Sequence, residues 1–125
     1  MMELYIQYIE NKGRGVFCTE DIDAGTLIEI CPVIVLPKKD RNFIDQSDLY
    51  NYYFLWGDEQ KETAIALGFG SLYNHSYEPN ALYETYYEEQ VIHFIAHKFI
   101  PADTEITINY NHDPDDKDEL WFNIQ

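Results

Sequence analysis

Asn74, His75, Ser76, Pro79 and Asn80 crowd into seven residues of the stretch Gly70-Ser-Leu-Tyr-Asn-His-Ser-Tyr-Glu-Pro-Asn80, directly after the apolar run Ala64-Ile-Ala-Leu67 and its glycines. Such a polar knot suits neither an ordinary strand nor a helix, and the neighbouring apolar run puts it at the inner edge of a core. Buried polar groups need partners, because an amide or hydroxyl taken from water unbonded is costly. The stretch is therefore either a self-satisfied turn or a ligand pocket. Asn and Ser bond their own backbone readily and Pro-Asn is ordinary turn chemistry, so these residues by themselves leave both readings open.

Two further unusual stretches accompany it in order: Lys12-Gly13-Arg14-Gly15-Val16-Phe17 before it and Asp103-Thr-Glu-Ile-Thr-Ile-Asn-Tyr110 after it. A G-x-G-V-F segment, an N-H-S-x-x-P-N segment and an E-I-T-x-x-Y segment, so ordered and spaced, resemble the SET domain of protein lysine methyltransferases in its small, zinc-free bacterial and viral form. The resemblance runs from about Gly13 to Tyr110. It implies a mainly β, β-clip fold of short strands closed by a pseudoknot and followed by a short C-terminal helix. It further implies a single domain over 1–125, with its core at about 13–110 and residues 111–125 as a C-terminal closing segment. The activity implied is S-adenosyl-L-methionine-dependent N-methylation of a protein lysine.

Composition agrees with one folded domain. A chain of 125 residues can bury one core but not two, and 46% hydrophobic with 16% aromatic residues is too apolar for a disordered acidic chain. The net charge of −15 therefore belongs to a surface, which repels nucleic acid phosphates and anionic membranes and steers basic partners inward. Cys18 and Cys31 are too few for a structural zinc cluster, so no metal is expected. The first residues carry neither a basic flank nor a long apolar run, so a cytoplasmic, reducing location is the default expectation and the two thiols read as buried apolar groups.

Leu4 to Ile9, Gly15 to Thr19, Thr26 to Cys31, Val33 to Leu36, Ala81 to Tyr87, Val91 to Lys98 and Thr104 to Tyr110 are rich in β-branched and aromatic residues, several with clean alternation. Turn residues separate them at Asn11 to Gly13, Asp23 to Gly25, Pro32, Pro37, Pro79-Asn80 and Pro101 to Asp103. Asp45 to Trp56 suits either a strand or a short helix capped by Asp45 or Ser47, and Asp115 to Phe122 suits a terminal helix. His93 and His97 share a strand face roughly 13 Å apart at about 3.3 Å per residue, too far to chelate one ion.

The resemblance assigns roles to particular residues. The backbone of Lys12, Gly13, Arg14 and Gly15 would hold the methionine end of the cofactor, since glycines let a main chain approach a ligand and offer its N–H groups; a plain hairpin turn is the rival. Asn74 and His75 would contact the cofactor's amino group and adenine, and Trp121 would cover the adenine. Tyr110 would be the catalytic hydroxyl. Tyr52, Tyr73 and Tyr83 would line the substrate lysine channel, where aromatic walls accept an alkyl stem and attract a methylated ammonium, with ordinary core packing as the alternative for each.

Tyr77 stands where many SET domains carry a zinc-binding cysteine, and no cysteine follows it, two departures that agree with each other. Target choice must then come from the acidic surface, a partner or a homodimer. The rival from another class is a SET-like module that has lost catalysis and binds basic peptides; retention of Asn74, His75 and Tyr110 speaks against it.

Overall fold

The structure, a computed structural model, describes residues 2–112 together with 114 and 115. Two sheets carry the chain. The first has the order β1–β2–β9–β6, from β1 (Leu4–Ile9), β2 (Gly13–Cys18), β9 (Glu105–Ile108) and the two-residue β6 (Asn74–His75). The second has the order β4–β5–β3–β8–β7, from β4 (Tyr53–Trp56), β5 (Glu62–Ala66), β3 (Leu27–Leu36), β8 (Val91–Ala96) and β7 (Ala81–Tyr86). Ile22 and Ile100 add one antiparallel bridge. All ladders are antiparallel except β6–β9, where Asn74 lies opposite Thr107 and His75 opposite Ile108. That parallel pair brings the polar knot alongside the strand that leads into Tyr110.

The alternation read from the sequence becomes burial. Ile92, Phe94 and Ala96 of β8 point into the core with Val16, Ile106 and Ile108, while Val91, His93 and Ile95 stay half-buried on the other face. Both thiols, Cys18 and Cys31, are buried and free. The strand expected from Gly15 starts at Gly13, because the hairpin closes at the pair Ile9–Gly13 with Asn11 and Gly13 at positive φ.

Pro32 was read as a break between two strands, and the structure corrects this. β3 runs unbroken through it, because Pro32 sits where the strand passes from one partner to the other: Leu27 to Pro32 pair with β8, and Val33 to Leu36 pair with β5. A proline is tolerated where a ladder changes sides. The ambiguous stretch Asp45 to Trp56 resolves into a 3-10 turn (Asp48–Asn51) capped by the Ser47 hydroxyl and then β4, and the short helix α1 (Arg41–Asp45) lies just before it. The terminal helix expected at Asp115 to Phe122 lies almost wholly outside the described residues. Among the described residues no helix is long and apolar enough to cross a membrane.

Candidate active site

Tyr110 follows β9 by one residue, at the start of a turn in which the His112 amide donates to the Asn109 carbonyl at 2.9 Å. Two bonds fix it. Its backbone amide donates to His75 Nδ1 at 3.0 Å, and its hydroxyl donates to the carbonyl oxygen of Tyr73 at 2.6 Å. Both partners are delivered by the parallel β6–β9 pairing, which the Ser76 amide extends by donating to the Ile108 carbonyl at 2.9 Å. Burial, then the neighbouring Tyr52 and Glu105, push the Tyr110 phenol well above its usual range. At neutral pH the group is therefore a protonated hydroxyl and not a phenolate base.

His75 is 5% exposed. Since Nδ1 accepts the Tyr110 amide, the proton of the neutral ring sits on Nε2, and Nε2 is buried with no hydrogen-bond partner among the described residues. Burial and the nearby Lys12 charge lower its pKa to about 4, so the ring is neutral at physiological pH. Tyr77 stands edge-on to it at 4.4 Å between centroids, and Tyr110 lies 5.1 Å away.

Beside this pair the Glu105 carboxylate gathers the glycine segment. Its Oε1 meets Lys12 Nζ at 2.5 Å, and its Oε2 accepts from Asn74 Nδ2 at 2.7 Å. Asn74 Nδ2 also donates to the Arg14 carbonyl at 2.7 Å, so both its amide protons are used inside the protein and a ligand could meet only its carbonyl oxygen. The two glycines are needed for different reasons. Gly13 has φ +94° with open space where a Cβ would sit, whereas a Cβ on Gly15 would come within 2.7 Å of Glu105 Oε2. Asn80 clamps the same strand, donating to the Glu105 carbonyl and accepting from the Thr107 amide, both at 2.8 Å.

On the far side of Tyr110 opens a cleft of about 340 Å³, lined by Tyr52, Tyr73, Tyr83, Tyr110 and residues of β4, among others. Tyr83 is buried edge-on against Phe54 at 5.0 Å, and His112 stands at 4.8 Å from its ring. The Tyr73 hydroxyl is turned away into β3, donating to Glu29 Oε1 at 2.7 Å, its ring is buried, and its carbonyl is taken by Tyr110. Among the described residues no Asp, Glu, Lys or Arg lines the cleft. Nor do any three His, Cys, Asp or Glu side chains converge to hold a metal ion among them.

A sequence model of the SET domain matches residues 13–111 of this chain. The chain belongs to the SET-domain family. The H3 lysine-37-specific histone-lysine N-methyltransferase of Schizosaccharomyces pombe is 34% identical over 120 residues, 95% of this chain and 76% of that protein. Among solved structures, a candidate histone methyltransferase of Plasmodium falciparum superposes with a TM-score of 0.70 at 32% identity, covering 90% of this chain and 96% of that one. A humanized mutant of the Chaetomium thermophilum Polycomb Repressive Complex 2 also gives 0.70, at 22% identity over 86% of this chain and 15% of that one, a likeness of fold.

In this SET domain the residues singled out from sequence fall into two groups that touch through His75 and Tyr110. Lys12, Gly13, Arg14, Gly15 and Asn74 gather around Glu105, and Tyr52, Tyr73 and Tyr83 gather around the cleft. Trp121 lies outside the described residues. Sequence reading missed Glu105 and Glu29 as site organisers. Glu29 shares a strand face with the buried Cys31 in Leu27-Ile-Glu-Ile-Cys31, which is a signal in the sequence; Glu105 alternates with the core residues Ile106 and Ile108, an ordinary polar register that marks nothing.

Proposed function

We propose that this protein is an S-adenosylmethionine-dependent protein-lysine N-methyltransferase that acts on a lysine in a basic protein or peptide. The observation that carries the reading is the uncharged, tyrosine-rich cleft beside Tyr110 in a chain of net charge −15. A lysine amine must be neutral to act as a nucleophile, and its reference pKa is about 10.4. An aromatic cleft with no carboxylate to hold an ammonium favours the neutral form by desolvation. Tyr52 is the partly exposed ring that can face the alkyl stem and a methylated product, and Tyr73 and Tyr83 line the same cleft as buried rings. The Tyr110 hydroxyl donates its proton to the Tyr73 carbonyl, so it meets an incoming amine with its oxygen as acceptor and can aim the nitrogen lone pair.

The residues of the glycine segment fit the cofactor. His75 Nε2–H is a buried donor without an acceptor among the described residues, Asn74 keeps its carbonyl oxygen for an ammonium, and the main chain at Gly13 borders open space. Lys12, Gly13, Arg14, Asn74 and His75 would hold it there. The chemistry S-adenosylmethionine supplies when bound is an electrophilic methyl group on a sulfonium. The negative surface and the histone-directed relatives both support a basic target. Titration calorimetry of the folded protein with S-adenosylmethionine tests the reading: saturable one-to-one binding is expected, and no detectable heat would contradict it.

A further inference from the structure

Glu29 is an expensive residue for the place it holds. It lies on the same side of β3 as the fully buried Cys31, in a segment where a bulge between Leu27 and Glu29 shifts the register against β8. A carboxylate turned toward a core costs stability unless donors surround it. Glu29 has them: Oε1 accepts the Tyr73 hydroxyl at 2.7 Å, and Oε2 accepts the Phe69 amide at 3.0 Å. Gly68, at φ +65°, leaves room for that oxygen, since a Cβ there would lie 2.5 Å from Oε2.

These bonds seize the chain at two points, the turn before the 3-10 segment Gly70–Leu72 and the side chain of Tyr73 directly after it. On its other side Tyr73 is followed by Asn74, fixed by the β9 ladder and by its bonds to Arg14 and Glu105. The Tyr73 ring is 1% exposed and packs at 4.7 Å on Phe94. The peptide carbonyl of Tyr73 therefore cannot turn, and that carbonyl receives the Tyr110 hydroxyl.

We propose that Glu29 is a positioning residue for methyl transfer: through Tyr73 it holds the carbonyl that orients the Tyr110 hydroxyl, although it touches neither the cleft nor the cofactor residues. This rests on the function proposed above. A carboxylate that only braced the fold would affect melting without moving Tyr110.

The test labels tyrosines with 13C at Cζ, whose shift reports hydroxyl bonding, and assigns the Tyr110 signal as the one missing in Tyr110→Phe. Tyr73→Phe removes a single hydroxyl and Glu29→Gln keeps size and one acceptor oxygen. In both, the Tyr110 signal is expected to move or broaden, with kcat on a basic peptide falling about tenfold and cofactor affinity unchanged. The double variant should lower kcat no further than the worse of the two single ones, because both act on Tyr110 through the one contact between Glu29 and Tyr73. A Tyr110 signal that stays in place in folded Tyr73→Phe overturns the proposal whatever the rates. If the parent itself transfers no methyl group, the proposed function fails, and the spectrum still decides the role of Glu29.

Discussion

The backbone amide of Tyr110 is hydrogen-bonded to His75 Nδ1 at 3.0 Å, across a gap of 35 residues in the chain. This bond joins the residues around Glu105 to the cleft, and it works only while the imidazole is neutral, because a protonated ring has no acceptor left at Nδ1.

Stability should therefore depend on the His75 charge. Its folded pKa of about 4 lies below the ordinary value of 6.5, so the unfolded chain binds more protons between those limits. The contribution is fully present above about pH 6.5 and lost by about pH 4, amounting to roughly 3 kcal/mol. Urea unfolding of the parent and of His75→Ala at pH 7 and pH 4.5 checks it. The parent should lose more stability over that interval than the variant, and parallel losses would remove His75 from the account.

The two glycines of the first motif should answer differently to alanine. Gly13→Ala places a side chain at positive φ in open space and should cost about 1–2 kcal/mol without disturbing Glu105. Gly15→Ala drives a methyl group against Glu105 Oε2 and should cost roughly 1–3 kcal/mol. It should also weaken cofactor binding by displacing the carboxylate that holds Lys12 and Asn74. Melting curves and calorimetry measure the two effects, and a Gly15→Ala variant that binds cofactor as tightly as the parent would contradict the role given to Glu105.

Asn80 serves as a side-chain partner for β9, so its loss should be structural. Asn80→Ala leaves the Glu105 carbonyl and the Thr107 amide without the bonds they make in the parent. A destabilisation of roughly 2–4 kcal/mol is expected from two deprived backbone groups. Denaturant midpoints measure it, and a change below about 0.5 kcal/mol, the size of an ordinary surface substitution, would show that water replaces the clamp.

Methyl transfer to a basic peptide should fall as salt rises, because a net charge of −15 attracts such targets over distances that screening shortens to about 8 Å at physiological ionic strength. The loss should appear in kcat/KM and not in kcat. A salt-independent kcat/KM would mean that the acidic surface plays no part in target choice.

Most strands and the three motifs are legible because alternation and motif order are local or one-dimensional signals, whereas β5 and the two-residue β6 are defined only by their pairing partners. Tyr110, His75 and Asn74 could be named from them. What they bond could not: Glu105 meets Lys12 from 93 residues away, and Glu29 meets Tyr73 from 44. Tyr73 reads as a channel residue from its place in the motif, and only the folded chain shows that its hydroxyl serves Glu29. Pro32 read as a stop because proline ends strands in general, and only the pairing partners on each side explain why it does not end this one.

The central claim is that Tyr110 acts on the reacting amine while the residues around Glu105 and His75 hold the cofactor. It is tested most directly by Tyr110→Phe, assayed for transfer of labelled methyl from S-adenosylmethionine to a lysine peptide, with cofactor affinity measured on the same sample. The account predicts a fall in turnover of at least a hundredfold, roughly 3 kcal/mol of transition-state interaction, with cofactor affinity within about twofold of the parent. Full methyl transfer by the variant would contradict it, and no transfer by the folded parent would favour a module that only binds basic peptides.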